Sequence, residues 1–221
     1  ERYNGLVPNG CRLLLGPRYA LLRQEFVRAR DELRKLREGS VHRVLVNFGG
    51  SDPTGEILKV MVAISRISHS NLHFDIVAGA ANPKKKEIFE FCSRMPNTTF
   101  YEQTESMAEL MSRADLAIGA GGMSMWERCF LGLPAIVIIT AVNQSDAVRA
   151  AENAGVIWNL GWHAEVDSNR IVSWLFHLLR NPNEIRQKSR TSLQLMGSGF
   201  MDDRDHSDGH PVIQAMREVM K

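Results

Sequence analysis

From residue 41 onward, short apolar runs alternate with segments that carry apolar residues at helical spacing. The runs are typical of buried strands and are predicted at 41–48, 72–77, 99–101, 116–118, 135–139 and 156–160. Helices are predicted around 57–64 and at 83–94, 106–111, 124–131, 145–154, 168–180, 182–196 and 212–220. This alternation predicts an α/β fold, a Rossmann-like, doubly wound parallel sheet covered on both faces.

The N-terminal region has a different pattern. Residues 11–15 form a short apolar run and are predicted to be a strand. Residues 19–38 carry a stripe of apolar residues, so a long helix is predicted there, with Gly39 as its C-terminal stop. Arginines and acidic residues alternate along this segment, which favours a solvated helix face over a phosphate or nucleic-acid surface. Ser106 with Glu109 predicts a capping box at a later helix.

Composition narrows the class of protein. The chain has 221 residues, 44% of them hydrophobic, which suits one well-packed domain with some addition, or two small ones. The net charge of +2 comes from mixed charges and predicts no nucleic-acid partner. Cys11, Cys92 and Cys129 lack metal-like spacing and indicate reduced thiols, so a cytoplasmic protein is predicted. No apolar run suits a transmembrane segment, no signal peptide opens the chain, and the start at Glu1 suggests a fragment.

The most informative stretch is IGAGGMSMWE, at 118–127. It follows a predicted strand, and its glycines let the backbone turn sharply and approach a ligand. These glycines are Gly119, Gly121 and Gly122. A helix is predicted to begin near Ser124, so unpaired N–H groups and the helix dipole would face one point and form an anion site.

Two side chains add to this turn. Ser124 supplies a hydroxyl in the first turn of the predicted helix, and Glu127 lies one turn further, where a carboxylate could accept hydrogen bonds from a ribose diol. The alternative is a packing turn, since strand-to-helix loops of α/β proteins often contain glycine. The local pattern leaves both interpretations open.

Two further loops are expected at the same edge of the sheet, where open α/β sheets bind ligands. The GGSDP loop offers the backbone donors of Gly50 and Ser51, and Asp52 is predicted to cap a helix rather than act as an acid. The loop lacks the lysine of a phosphate-binding Walker motif. Asn143 and Gln144 follow another strand, and their amides could hold hydroxyl and phosphate oxygens or cap a helix.

The polar stretch DDRDHSDGH, at 202–210, raises the question of a metal site. It does not fit a calcium loop, because the turn glycine and the distal glutamate are misplaced. His206 and His210 could share a helical turn, but Gly209 and Pro211 favour a loop. The stretch is therefore predicted to be a polar tail, with no metal. No catalytic residue can be assigned from residue order alone.

Three segments carry a resemblance to a known family: NFGGSDP, ADLAIGAGGMSMWERCFLGLPAIVI and NQSDAVRAAENAG. Together they resemble the nucleotide-binding C-terminal half of GT-B proteins, in particular the UDP-sugar hydrolases of pseudaminic acid biosynthesis. More distantly, the chain is similar to the glycosyltransferases that add N-acetylglucosamine to lipid I. The segment GPRYALLRQEF resembles the junction between the two halves of those hydrolases, and the likeness covers about residues 14–196.

The resemblance implies roles for single residues. Gly122, Met123 and Ser124 match the turn that holds the diphosphate, Glu127 the carboxylate that binds the ribose, and 100–103 the backbone that holds uracil. The full predicted UDP site is Gly50, Ser51, Gly121, Gly122, Met123, Ser124, Glu127, Asn143 and Gln144. In these hydrolases water attacks the anomeric carbon of a diacetamido-trideoxy sugar and UDP leaves, without a metal or other cofactor.

The resemblance also implies a division of the chain. Residues 1–39 would be an interdomain strand and linker helix, 40–196 the nucleotide-sugar-binding domain, and 197–221 a polar tail with a terminal helix. The family's ending Asp-Gly-x-Gly-Ala survives here only as Asp208 and Gly209, followed by histidine and proline. The family's N-terminal half supplies the histidine proposed as base, so a missing domain or partner chain is expected.

A purely structural or protein-binding role would predict no affinity for UDP, and the resemblance leaves three other functional alternatives. The chain is expected to bind UDP or a UDP-sugar, as part of a hydrolase, as the donor half of a glycosyltransferase, or as a non-catalytic binding module.

Overall fold

The computed structural model describes residues 5–33, 37–67, 71–197 and 211–220. Its centre is a six-stranded, wholly parallel sheet with the strand order β3-β2-β1-β4-β5-β6. The strands are β1 Arg43–Asn47, β2 His73–Ala78, β3 Thr98–Glu102, β4 Leu116–Ala120, β5 Ala135–Ile139 and β6 Ile157–Trp162. This confirms the predicted doubly wound α/β fold.

Helices cover both faces of the sheet. The α-helices of the described residues are α1 Gln24–Asp31, α2 Glu56–Ser65, α3 Lys85–Cys92, α4 Met107–Arg113, α5 Met123–Phe130, α6 Ser145–Asn153, α7 Ser168–Arg180, α8 Pro182–Met196 and α9 Pro211–Val219. Short 3-10 helices are formed by Pro17–Tyr19, Val142–Gln144 and His163–Glu165. None of the helices described here is both long and apolar enough to cross a membrane.

Alternate strand residues enter two separate cores, as the pleat of a sheet buried on both faces requires. Val44 and Val46 of β1 point into a core with α2, α3 and α7, whereas Leu45 points into the core with α1, α4, α5 and α6. Helix α8 contributes Ile185 to the first core and Met196 to the second. The apolar runs therefore lack strict alternation because neither face of the sheet is solvated.

The N-terminal predictions were partly wrong. Residues 11–15 form no strand, because no segment among the described residues pairs with them. In place of a long helix, a 3-10 turn is followed by the eight-residue α1, since the backbone of Arg23 is extended. Gly39 is not a helix stop: its φ is +100°, and a β-carbon there would collide with the backbone of Pro182.

The prediction of a solvated arginine face on α1 is wrong for Arg30. It is only 6% exposed, and its guanidinium donates to the carbonyl oxygens of Phe130 (2.5 Å), Leu193 (3.2 Å) and Gly197 (3.0 Å). These carbonyls lie at the C-terminal ends of α5 and α8, where helices leave acceptors unpaired. Arg28, two residues earlier, is exposed as predicted.

The capping box predicted at α4 does not form. Ser106 has φ −100° and ψ 39°, and its side chain makes no capping hydrogen bond. Its backbone N–H instead donates to the hydroxyl of Thr104 at 3.0 Å, so a local turn replaces the cap. The polar stretch 202–210 lies outside the described residues.

Candidate functional site

The order of the strands reverses between β1 and β4. From β1 the chain continues to β2 on one side, while β4 lies on its other side, with Asn47 paired to Gly119. A crevice forms where strand order reverses, because the loops that follow the two strands leave in opposite directions. The GGSDP loop and the IGAGGMS turn therefore lie side by side at the carboxyl edge, as the sequence predicted.

The three glycines of the turn serve different purposes. A β-carbon at Gly119 would collide with the Asn47 carbonyl oxygen and the Arg128 guanidinium, and one at Gly121 would collide with Val148. A β-carbon at Gly122 meets nothing within 4 Å. None of the three has a positive φ, so none is required for a left-handed backbone, and only Gly119 and Gly121 are required by close neighbours. The packing interpretation thus holds for the first two, while the third faces open space.

Helix α5 begins directly after this turn. Gly122 is its N-cap, and its carbonyl accepts from the N–H of Met125 at 2.9 Å. Within the described residues, the N–H groups of Met123 and Ser124 have no acceptor. Unpaired first-turn N–H groups beside open space form a site that suits an anion.

Arg128, for which the sequence predicted no role, places a fixed positive charge beneath the turn. It is 1% exposed, and its Nη2 donates to the Ala120 carbonyl at 2.6 Å. Burial lowers the pKa of Arg128 to about 10, so the guanidinium is still charged at neutral pH. Nothing in the local sequence signals this burial, because the space for the side chain is left by Gly119, nine positions earlier.

Glu127 lies on the same helix, one turn from the unpaired N–H groups. It is 8% exposed, and burial raises the pKa of its carboxyl group, while the nearby Arg23 guanidinium acts in the opposite direction. Its Oε1 lies 3.4 Å from Nη2 of Arg23. No hydrogen bond from the described residues reaches Oε2, which can therefore accept from a hydroxyl group of a ligand.

Gln144 has a bracing role that was not expected. Its Oε1 accepts from the N–H groups of Gly121 at 3.3 Å and Thr140 at 3.1 Å, and its Nε2 donates to the Thr140 hydroxyl at 3.1 Å. The side chain thus ties the glycine turn to the loop after β5. Asn143, in the same 3-10 helix, has an exposed side chain.

The start of α2 differs from that of α5. The carboxylate of Asp52 accepts from the N–H groups of Glu56 (2.9 Å) and Ile57 (3.0 Å), which confirms that Asp52 caps this helix. A negative charge already occupies this N-terminus, so it does not favour a phosphate. Gly50 and Ser51 are exposed on the same loop.

Two other features fit a UDP site less well. The backbone N–H of Gln103, predicted to contact uracil, donates to the Ala78 carbonyl at 3.1 Å. A cleft of about 770 Å³ lies between α1 and α4, and its lining contains two arginines, Arg28 and Arg113, but four glutamates. These glutamates, Glu25, Glu32, Glu105 and Glu109, give the lining a net negative charge that disfavours a diphosphate. No group of three metal-binding side chains occurs within the described part of the chain.

The parallel sheet and the reversal of its strand order between β1 and β4 define a doubly wound, Rossmann-like α/β domain. Residues 44–202 match the model of the glycosyltransferase family 28 C-terminal domain, and the chain belongs to this family. Of the solved structures, MurG of Acinetobacter baumannii superposes with a TM-score of 0.62 at 14% identity, covering 96% of this chain and 57% of that one. This likeness confirms the expected fold, that of the C-terminal domain of a GT-B protein.

Two curated relatives are similar in sequence. The spore coat polysaccharide biosynthesis protein SpsG of Bacillus subtilis is 32% identical over 158 residues, which is 70% of this chain and 45% of that protein. The UDP-2,4-diacetamido-2,4,6-trideoxy-beta-L-altropyranose hydrolase of Campylobacter jejuni is 27% identical over 116 residues, covering 52% of this chain and 39% of that enzyme. The chain thus spans less than half the length of either relative.

Proposed function

We propose that this chain binds the UDP portion of a UDP-sugar at the turn between β4 and α5. The observation that carries the proposal is the pair of unpaired N–H groups at Met123 and Ser124, with the Glu127 carboxylate one turn further along the same helix. Diphosphate oxygens accept from such N–H groups, and a carboxylate accepts from a ribose diol. The buried Arg128 cation supports an anion at this position.

The remaining predicted residues have supporting roles in this proposal. Gly122 gives the diphosphate room to approach, and the Ser124 hydroxyl donates to a phosphate oxygen. Gly50 and Ser51 form the opposite wall of the crevice. Gly121 is held in place by Gln144. The exposed amide of Asn143 faces the sugar.

For the whole protein we propose hydrolysis of a UDP-sugar in the biosynthesis of a surface polysaccharide. Water would attack the anomeric carbon, the bond from that carbon to the β-phosphate oxygen would break, and UDP would leave. The similarity to the Campylobacter hydrolase and to SpsG supports this proposal. The family match supports the alternative equally well, namely that the chain is the donor-binding half of a glycosyltransferase.

Calorimetric titration with UDP, and with ADP as the control nucleotide, tests the binding site. The chain is expected to bind UDP selectively, and Glu127→Ala to weaken binding by about 1–3 kcal/mol, as for a lost charge-assisted hydrogen bond. Glu90→Gln, at an exposed position on α3, is the matched control and should bind as the unchanged chain does. Equal affinity of the Glu127→Ala variant would contradict the ribose assignment, and no UDP binding would contradict the proposed site.

Incubation of the full-length protein with UDP-sugars in H₂¹⁸O separates the enzymatic alternatives. A hydrolase attacking the anomeric carbon releases UDP without an acceptor and places ¹⁸O in the sugar. A glycosyltransferase releases UDP only when a hydroxyl acceptor is added. Tight binding without turnover under both conditions would instead identify a binding module.

A further inference from the structure

Arg23 connects the N-terminal segment to the proposed ribose carboxylate. It immediately precedes α1, and its Nη2 lies 3.4 Å from Oε1 of Glu127. Its Nη1 lies 2.7 Å from Oε1 of Glu25, and its guanidinium is 5.0 Å from the ring centre of the fully buried Phe26. The guanidinium is therefore held on two sides while it reaches towards α5.

Glu127 depends on nearby charges because it is largely removed from water. Among the described residues, the charged groups that face it are Arg23 and Glu25 from the α1 side and Arg128 on its own helix. Burial raises the pKa of the Glu127 carboxyl group, the two arginines lower it, and Glu25 raises it. Arg128 already donates to the Ala120 carbonyl, which leaves Arg23 as the cation in hydrogen-bonding reach.

The geometry also shows which carboxylate oxygen of Glu127 remains available to a ligand. Arg23 contacts Oε1 of Glu127 and makes no described contact with Oε2. A ribose diol could therefore be accepted on one side of the carboxylate while the guanidinium stays on the other. An interaction at 3.4 Å is loose enough for the carboxylate to adjust to a ligand.

We propose that Arg23 is a positioning residue for nucleotide binding, which orients the Glu127 carboxylate through Oε1 and is itself restrained by Glu25. The identity of the ligand in this inference rests on the proposed function. The coupling between Arg23 and the Glu127 carboxylate is independent of it, because this coupling is a property of the chain without ligand. Residues outside the Rossmann-like sheet thus contribute to the site.

Carbon-13 NMR titration of the Glu127 carboxyl group in the free chain tests the coupling. Arg23→Met is expected to raise the pKa of Glu127, because it removes the neighbouring cation. Glu25→Gln is expected to lower that pKa, because it removes a negative charge and frees Arg23. Arg28 is exposed on the same helix, so the Arg28→Met variant should leave the pKa of Glu127 unchanged. A change of the same sign in the Arg23 and Glu25 variants would indicate general loosening of α1 and overturn the proposal.

Calorimetric titration with UDP at pH 8 and pH 5 tests the consequence for binding. The charged carboxylate accepts from ribose, so binding is lost as the pH falls through the Glu127 pKa, and this loss begins at a higher pH in Arg23→Met. Between the two pH values, Arg23→Met is expected to lose more affinity than the unchanged chain, because its Glu127 carboxyl group becomes protonated at a higher pH. Arg23→Lys should restore part of this loss, since it keeps the charge but not the planar fork.

The two proposals fail in different ways. If the unchanged chain binds no UDP, the proposed function is wrong, while the NMR titration still decides whether Arg23 controls Glu127. If the chain binds UDP and Arg23→Met shows the same affinity and pH dependence, the function stands and this inference is overturned. Thermal unfolding of each variant confirms that it is folded, which is expected because Arg23 is largely exposed.

Discussion

At the scale of single residues, neighbouring glycines in one turn are required for different reasons. Gly119 leaves the space that the Asn47 carbonyl and the Arg128 guanidinium occupy, and Gly121 lies against Val148. Gly122 borders open space at the N-terminus of α5. Substitution can therefore separate the structural glycines from the one proposed to bind ligand.

Gly119→Ala is expected to destabilise the chain by about 1–3 kcal/mol, because overpacking displaces buried neighbours. Gly122→Ala should leave stability nearly unchanged but weaken UDP binding, since the methyl group enters the space proposed for the diphosphate. Urea denaturation and calorimetric titration measure the two effects. Equal loss of stability in both variants would contradict this division of roles.

The cysteines are expected to differ sharply in reactivity. Burial raises the pKa of Cys129 to about 11 and also raises that of Cys92, so both remain protonated, unreactive thiols at pH 8. Cys11 is exposed. Mass spectrometry after brief treatment with iodoacetamide should show modification at Cys11 in the native chain and at all three cysteines in urea. Rapid native labelling of Cys129 would show that its helix opens readily.

At the scale of elements, α2 and α5 have different N-termini, although both helices follow the strands at which the strand order reverses. Helix α2 is capped by Asp52 through two backbone N–H groups, whereas α5 begins with unpaired donors. The helix dipole is present in both, so the side chain already in place decides which one can receive an external anion. This contrast favours α5 over α2 as the diphosphate site.

Asp52→Ala is expected to lower stability by about 1–2 kcal/mol through loss of the cap, with little change in UDP affinity. Asp167→Ala serves as a comparison, because among the described residues Asp167 accepts from one backbone N–H, that of Arg170, at the start of α7 and should matter less. Thermal unfolding measures stability, and calorimetry measures binding. A clear gain in UDP affinity on removal of Asp52 would place the diphosphate at α2 instead.

At the scale of the whole molecule, two arginines join the N-terminal segment to the sheet domain. Arg30 donates to carbonyls of α5 and α8, and Arg37 donates to the carbonyls of Met111, Ala114 and Leu131. Burial lowers the pKa of Arg37 to about 10, which still leaves it charged at neutral pH. The segment before residue 40 is therefore tied to the body, and its description as a separate linker stays a prediction.

Arg30→Met is expected to lower the free energy of unfolding by about 2–3 kcal/mol, because it leaves buried carbonyl groups at two helix ends without donors. Arg28→Met is the matched control, since its side chain is exposed on the same helix, and it should unfold as the unchanged chain does. Urea denaturation monitored by circular dichroism compares them. Unchanged stability in Arg30→Met would show that these hydrogen bonds do not stabilise the fold.

The sequence by itself determined the parallel sheet and most helix positions. Strand 135–139 and helices 168–180 and 182–196 match the structure, and the inward positions of α2 are buried as predicted. The cap formed by Asp52 was predictable as well. All of these depend on periodicity or on contacts within a few residues, so the local pattern contains the information needed.

Only the tertiary structure decided the surroundings of the site. The burial of Arg30 and Arg128, the bracing by Gln144 and the contact of Arg23 with Glu127 each depend on groups far away in the sequence. The unpaired run 11–15 likewise depends on what lies beside it. The pattern specifies which face of an element is apolar, but the pairing of a charge or a carbonyl is set by packing, which brings distant partners together.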